Sequence, residues 1–151
     1  MDSGYLMLLK KIDYEQLNSR QQENHNFHMI AASLATYGFN CIRLSDDWKG
    51  ADFIAQHIDG KIFLKVQLKG RLSIEKDYIG KELHICFQYP SNSNKWYLYP
   101  HDKVKDYLLE TTNIGNTSSW RNKGEYTYRT ISITLLKYLS QFKLNKSPGY
   151  N

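Results

Sequence analysis

The sequence predicts an α/β fold in which helices pack against a β-sheet. Two observations carry this prediction: an amphipathic helical stretch over residues 19–37, and a hairpin signal at Asp59-Gly60 between two apolar runs. With 151 residues, of which 41% are hydrophobic, the chain is long enough to bury one core. We therefore expect one domain over 1–151, with an N-terminal extension over 1–18 and a frayed tail over 145–151.

The first predicted helix ends near residue 37, because its apolar residues recur at helical spacing and Gly38 follows as a stop. Asn18 or Ser19 is expected to cap its start. The other predicted elements, in chain order, are a strand over 40–44, a loop over 46–50, the two hairpin strands, strands over 84–89 and 95–99 joined by a loop over 90–94, and helices over 101–110 and 130–142. The polar stretch over 111–128 is long for a connection, and a surface excursion is favoured over a substrate loop or a dimer arm.

The turn predicts the register of the hairpin. Asp followed by Gly favours a two-residue turn, because both central positions need φ > 0. With Asp59 and Gly60 as the loop, Asp52 lies directly opposite Gln67, and Lys69 shares their face. An acid, an amide oxygen and an ammonium on adjacent strands have the chemistry to hold a divalent cation and to orient a water beside a phosphate.

The opposite face of this hairpin is predicted to be apolar and to face the core. Its members are Phe53, Ala55, Ile62, Leu64, Val66 and Leu68. The polar face has a simpler interpretation as the wet side of an ordinary antiparallel hairpin, which accounts for Lys61 and Lys65 without any chemistry. That interpretation explains Asp52 less well, since Asp is depleted in strands and lies here across from Gln67 rather than at a turn.

Glu23 lies on the apolar face of the predicted helix. It precedes Phe27 by one turn, so the helix that packs Phe27 onto the sheet also turns Glu23 toward the edge of the sheet. Alternatively, Glu23 complements the helix dipole in the first turn, and the two roles are compatible. Asp46 and Asp47 are interpreted as turn and cap residues in preference to additional metal ligands.

A helix carrying Glu, a strand, a strand carrying Asp and a strand ending in x-x-Lys together resemble the PD-(D/E)xK nuclease superfamily. Glu23 resembles the acidic residue on the first helix of Holliday-junction-resolvase-like members, and Asp52 resembles the motif Asp. Gln-Leu-Lys at 67–69 resembles the (D/E)-x-K tripeptide. The likeness covers about residues 21–105. It implies a restriction-endonuclease-like αβββαβ core, with a central mixed sheet flanked by helices. It also implies a metal-dependent phosphodiesterase that cleaves nucleic acid, with a DNA endonuclease favoured over an enzyme acting on RNA.

The resemblance also implies a role for each residue. Asp52 would bind Mg²⁺ or Mn²⁺ directly, and Glu23 would bind it directly or through water. The side-chain oxygen of Gln67 and the backbone carbonyl of Leu68 would complete the shell. Lys69 would not be a ligand, because its ammonium would orient the attacking water and offset charge on the scissile phosphate.

Two positions depart from the superfamily pattern. Ala51 stands where the superfamily name has Pro, a position that varies widely. Gln67 replaces a carboxylate, which removes one negative charge and weakens cation binding unless Glu23 makes up the difference, although Q-x-K variants occur in the superfamily. The alternative function is therefore a catalytically inactive nuclease-fold protein that binds nucleic acid or a protein partner. A third is a small interaction or immunity-type domain whose basic surface meets an acidic protein.

The charge of the chain favours a phosphate-bearing partner. The formal net charge is +5 and the pI is about 9.1. Candidate phosphate contacts are Lys65, Arg71, Lys76 and Lys81, each of which a solvated surface also explains. A homodimer is compatible with the sequence, and a strand over 96–99 is a candidate interface if it is exposed.

The two cysteines, Cys41 and Cys86, each lie in an apolar run and are expected to be buried free thiols of a cytoplasmic protein. The sequence shows no Cys/His cluster suited to zinc, and its five His share no spacing that would build a metal site or a catalytic dyad. No stretch approaches the length of a membrane span.

Overall fold

The computed structural model describes residues 3–48 and 50–144. Its helices are α1 (Ser3–Leu8), α2 (Ser19–Ala35), α3 (His101–Thr111) and α4 (Ile133–Leu139). Its strands are β1 (Phe39–Trp48), β2 (Ala51–His57), β3 (Phe63–Leu68), β4 (Ser73–Glu75), β5 (Leu83–Gln88), β6 (Trp96–Pro100) and β7 (Glu125–Thr127). Short 3₁₀ helices cover Tyr14–Gln16, Lys76–Tyr78, Ile114–Asn116 and Ser140–Phe142, and a π-helix covers Ser119–Lys123.

The central sheet is mixed. Its five strands lie in the order β1-β2-β3-β5-β6, and every neighbouring pair is antiparallel except β3 and β5, which are parallel. The connection between those two parallel strands runs through β4 and a 3₁₀ turn, and β4 pairs with β7 in a separate two-stranded sheet. The predicted class, α/β with helices flanking a central mixed sheet, is confirmed.

The predicted register of the β2–β3 hairpin is confirmed. Phe53 pairs with Val66 and Ile54 with Lys65, so the same register places Asp52 opposite Gln67. The predicted form of the turn is wrong. The Gly60 amide donates to the His57 carbonyl at 3.0 Å and only Gly60 has a positive φ, of 71°, so the turn bond spans 57–60 rather than 58–61. The Asp59 carboxylate accepts the amide hydrogens of residues 61 and 62 instead of entering the left-handed region.

Helix α2 packs on one face of the sheet. Asn18 caps it by accepting the Gln21 amide hydrogen at 2.9 Å, and the Gln21 side chain accepts the Asn18 amide hydrogen in return. The buried stripe of the helix meets the apolar face of the hairpin and its neighbours. This first core comprises Phe27, Ile30, Leu34, Phe53, Ala55, Val66, Cys86 and Trp96. The helix therefore holds its N-terminal turns above the end of the sheet where β2 begins.

A second core covers the other face of the sheet, beneath β5 and β6. Ile85 and Phe87 face it, whereas Cys86 between them faces α2. Helices α3 and α4 contribute Val104, Leu108, Leu135 and Leu139, and β4 contributes Ile74. Both cysteines are free, and burial raises the pKa of each thiol.

Two predictions about connections are wrong. Residues 46–48 belong to β1 rather than to a loop, because β1 bulges between Arg43 and Trp48 and then pairs again with β2. The stretch 111–128 is not a surface excursion, because it contains β7 and buries Ile114 and Trp120 in the second core.

The strand at 96–99 is not exposed, which contradicts the interface considered for a homodimer. Trp96 and Tyr97 are 5% exposed and Tyr99 is fully buried. The outer side of β6 is covered at its start, where the Leu144 amide donates to the Trp96 carbonyl at 2.9 Å and Tyr97 bridges Lys143.

Two further sequence predictions concern the ends of the chain and the membrane. The predicted extension contains α1 and a 3₁₀ turn, and the predicted frayed tail lies outside the described residues. Within residues 3–48 and 50–144, no helix combines the length and the apolar character that a membrane crossing needs.

Candidate active site

One open cleft, about 630 Å³ in volume, lies between the start of α2 and the adjacent ends of β2 and β3. Glu23, Asp52, Gln67 and Lys69 all line it. The hairpin register and the helical phase of α2 predicted that these four residues lie close together. The structure places all of them around the same cleft. A cleft of this volume accommodates a ligand as large as a nucleotide.

Asp52 is the half-buried carboxylate of the cleft. Its Oδ2 accepts the Leu68 amide hydrogen at 2.8 Å, which ties the start of β2 to the end of β3. Burial raises the pKa of Asp52, while the Leu68 amide and the Lys69 charge oppose that shift and the Glu23 charge adds to it. Asp52 and Glu23 line the same cleft, where a cation would offset their like charges.

Gln67 and Leu68 present the other two predicted ligand oxygens. The Gln67 Nε2 lies 3.5 Å from the Leu68 carbonyl oxygen, at the long limit of a hydrogen bond. A backbone carbonyl has two lone pairs, so this long contact leaves acceptor capacity at the Leu68 oxygen. The neighbouring Lys69 amide donates to the Cys86 carbonyl at 2.9 Å and extends the parallel pairing of β3 with β5. That pairing fixes the end of β3 beside the cleft.

Lys69 is held by residues that the sequence reasoning missed. Its Nζ donates to Glu75 Oε1 at 2.7 Å and lies 5.3 Å from the centre of the Tyr78 ring. Burial lowers the pKa of Lys69, but hydrogen bonds to Glu75 and Tyr78 outweigh burial and raise it overall. Lys69 is therefore a fixed positive charge at neutral pH and cannot act as a general base there.

Glu75 and Tyr78 carried no sequence signal that marks a site. Glu75 ends β4, which is only three residues long and pairs with β7, some fifty residues further along the chain. Tyr78 lies in the following 3₁₀ turn and is 8% exposed. A strand of this length is too short for an alternation of apolar and polar residues that would distinguish it from a loop. Its pairing partner is distant in the chain and cannot be inferred from the local sequence.

Arg43 is a residue of the cleft lining that sequence reasoning also missed. It lies in β1 opposite Phe53, and it lines the same space as Asp52. Its Nη1 donates to the Asn24 Oδ1, and its guanidinium carbon lies 5.3 Å from the centre of the Phe27 ring. Arg43 pairs with Phe53, the residue that follows Asp52. An alignment of β1 against β2 would therefore have placed Arg43 next to the site.

The predicted phosphate contacts do not line the cleft. Lys65 is exposed on β3 opposite Ile54, and Arg71 is exposed just beyond the end of β3. Lys76 places its Nζ 5.3 Å from the centre of the Trp120 ring. Lys81 is half-buried after the 3₁₀ turn. Arg43 and Lys69, not these four, bring positive charge to the lining.

The donors of the cleft fit a hard divalent cation. The described residues contain no group of three His, Cys, Asp or Glu side chains placed to hold a metal ion, and the side chains of Asp46 and Asp47 lie outside the description. Two carboxylates, Asp52 and Glu23, and two carbonyl-type oxygens, from Gln67 and Leu68, share the cleft instead. Mg²⁺ is commonly bound by one or two carboxylates together with water and substrate phosphates, so this set suits Mg²⁺ or Mn²⁺ and does not suit zinc.

Comparisons with known proteins found similarity among solved structures. A Holliday junction resolvase, Hjc, from the archaeal hyperthermophile Archaeoglobus fulgidus is 20% identical; the match covers 48% of this chain and 74% of that one, with a TM-score of 0.39. A bacterial homing endonuclease, I-Ssp6803I, is 13% identical; the match covers 80% of this chain and 86% of that one, with a TM-score of 0.48. The sequence matches no protein-family model and no curated protein.

Proposed function

We propose that this protein is a metal-dependent phosphodiesterase that cleaves nucleic acid, acting as a DNA endonuclease. The observation that carries the proposal is the convergence of Glu23, Asp52, Gln67 and Lys69 on one cleft. Two carboxylates line that cleft together with an ammonium held in an ion pair. A cation held beside a positive charge that does not ligate it is an arrangement that can catalyse the hydrolysis of a phosphodiester.

The cation would be held by Asp52 and Glu23, with Gln67 and the Leu68 carbonyl as neutral ligands. When bound, a divalent cation polarises the phosphoryl oxygen and lowers the pKa of water. Gln67 contributes no charge, so the two carboxylates supply all the negative charge of this set. Their affinity for the cation is expected to be modest in the absence of substrate phosphate.

The basic side chains of the cleft act on the substrate. The ammonium of Lys69 orients the attacking water and offsets charge that develops on the scissile phosphate. The guanidinium of Arg43 lines the same cleft and offers a fork of donors to phosphate oxygens. Outside the cleft, Lys65, Arg71 and Lys81 remain candidate contacts to the nucleic-acid backbone, and Lys76 is a weaker one because its ammonium already lies over Trp120.

A plasmid-nicking assay tests the proposal. Purified protein with Mg²⁺ or Mn²⁺ is expected to convert supercoiled plasmid to nicked or linear DNA, and chelation is expected to stop it. Lys69→Ala is expected to lower the rate at least about a hundredfold, since it removes transition-state electrostatics, whereas Lys61→Ala, at the exposed turn of the hairpin and outside the cleft, is expected to change it little. If the wild type cleaves no duplex, single-stranded or branched substrate with either metal, the proposal is wrong.

A second candidate function is favoured by one observation. The described residues hold no cluster of three charged or imidazole ligands, because Gln67 stands at the position of the missing carboxylate. A nuclease-fold protein that binds nucleic acid without cleaving it would keep the basic surface and lose the reaction. Salt-sensitive DNA binding that is indifferent to metal and to Asp52→Ala would support this function in place of cleavage.

A further inference from the structure

The ion pair between Lys69 and Glu75 is built into the fold and does not lie loosely at the surface. The Lys69 side chain is 27% exposed and the Glu75 side chain 19% exposed, and their charged atoms are 2.7 Å apart. The Tyr78 ring lies beside the same ammonium and is itself buried. A partly buried, charge-assisted hydrogen bond of this length restricts a side chain that would otherwise rotate about four bonds.

Strand β4, which carries Glu75, is clamped at its other end. The Ser73 carbonyl accepts the Tyr99 hydroxyl hydrogen at 2.6 Å, and the Ser73 amide lies 3.3 Å from the same oxygen. Tyr99 is fully buried in β6 of the central sheet. The start of β4 is therefore fixed to the sheet by two contacts with one side chain.

The backbone of Glu75 is fixed by a buried histidine. Its amide donates to the His101 Nε2 at 3.0 Å, so the His101 Nδ1 carries the ring proton and donates to Asp102 at 2.9 Å. Asp102 in turn accepts the Gly80 amide hydrogen at 2.9 Å. His101 is fully buried, and it spends both ring nitrogens on holding neighbouring groups. This chain of bonds sets the point from which the Glu75 carboxylate reaches Lys69.

We propose that Glu75 is a positioning residue for the cleavage reaction, because it holds the Lys69 ammonium at the edge of the cleft; this inference rests on the proposed function. Lys69 and Asp52 lie within electrostatic reach of each other. Without Glu75, the ammonium would be free to turn toward the Asp52 carboxylate, and pairing with it would occupy the group that the cation needs. Glu75 therefore keeps Lys69 available to the substrate and Asp52 available to the cation.

Glu125 provides a matched control. It lies directly opposite Glu75 in the β4–β7 pair and is exposed. Glu125→Gln removes the same charge from the same ribbon of two strands without touching Lys69. A loss that both variants share would come from net charge or from the ribbon, whereas a loss confined to Glu75→Gln would come from the ion pair.

The experiment measures nicking by wild type, Glu75→Gln, Glu125→Gln, Lys69→Met and the Glu75→Gln/Lys69→Met double variant, with thermal unfolding of each. We expect Glu75→Gln to lower kcat about tenfold or more, with KM for DNA within about twofold of the wild-type value, because misplacing a reacting group slows the chemical step. In the Lys69→Met background, Glu75→Gln is expected to cause no further loss. Unchanged kcat in Glu75→Gln, or a loss that adds in full to that of Lys69→Met, would overturn the proposal.

A second readout needs no cleavage. The NMR signal of the Lys69 ammonium is expected to persist in wild type and in Glu125→Gln, because its hydrogens exchange slowly in the ion pair, and to disappear in Glu75→Gln. A signal that survives in Glu75→Gln overturns the positioning role even if the wild type cleaves DNA. If the signal behaves as expected and the wild type cleaves nothing, the proposed function has failed, and the positioning role in cleavage is overturned with it.

Discussion

At the scale of single residues, the negative charge of Asp52 destabilises the folded protein. The carboxylate is half-buried, and its ionisation is opposed by burial and by Glu23 more than it is helped by the Leu68 amide and Lys69. Groups held in an unfavourable charge state mark sites where function conflicts with stability. We therefore predict that removing this charge stabilises the protein while it removes a proposed ligand of the cation.

We predict that Asp52→Asn raises the thermal midpoint at pH 7. The pKa of Asp52 is raised in the folded protein above its ordinary 3.8, so ionisation of this carboxyl group destabilises the folded state. The destabilisation is absent below pH 3.8 and grows as the pH rises through the folded pKa. The gain is expected to be a few tenths to about 1 kcal/mol at pH 7, because the group is only half-buried. Thermal unfolding at pH 7 and near pH 3.5 measures it, with the exposed Asp106→Asn as control. A lower midpoint at pH 7 would contradict this interpretation of Asp52.

Gln67→Glu is predicted to strengthen Mn²⁺ binding. The substitution adds a third carboxylate to those of Asp52 and Glu23, and the affinity of such sites rises with the number of charged ligands. We expect a change in Kd of about tenfold, which corresponds to about 1.4 kcal/mol. Calorimetric titration measures it, and Gln56→Glu, on the neighbouring strand of the same hairpin, is the control that adds charge outside the cleft. Equal affinities in the wild type and Gln67→Glu would mean that Gln67 lies outside the cation's shell.

At the scale of elements, local signals predicted what depends on local sequence. The phase of α2 and the register of the β2–β3 hairpin follow from residues within about twenty positions of one another, and both were correctly predicted. Strand β4 depends on a partner far along the chain, so no local pattern pointed to Glu75. The form of the turn was missed because the Asp59 side chain satisfies backbone amides itself, which a dipeptide preference does not include.

Gly50 joins β1 to β2 immediately before the cleft, and we predict that Gly50→Ala destabilises the protein. Its φ is +94°, and an added Cβ would lie 3.0 Å from the Tyr78 ring and 3.1 Å from the Leu83 side chain. Strain of this kind costs about 1–3 kcal/mol. Chemical denaturation measures the loss, with Gly70→Ala as control, because Gly70 has open space around its Cβ position. If both variants unfold at the same denaturant concentration, the predicted clash between a Cβ at position 50 and the Tyr78 ring is wrong.

At the scale of the whole molecule, two cores separate the parts of the site. The first core holds α2 and Glu23 on one face of the sheet, and the second holds β4 and Glu75 on the other. Hydrophobic patterning predicted the sheet and its flanking helices. It missed the burial of Ile114 and Trp120, because single apolar residues in the polar stretch 111–128 show no periodicity. The cleft residues Asp52, Gln67 and Lys69 were predictable because a chemical motif coincided with a register.

The central claim is that the cleft binds a divalent cation through Asp52. Calorimetric titration of Mn²⁺ into the wild type, Asp52→Ala and the control Asp106→Ala tests it most directly, and it does not depend on the choice of substrate. We predict one site in the wild type and in Asp106→Ala, and at least about a tenfold weaker or undetectable site in Asp52→Ala. Equal Mn²⁺ binding in all three proteins, or none in the wild type, would contradict the account.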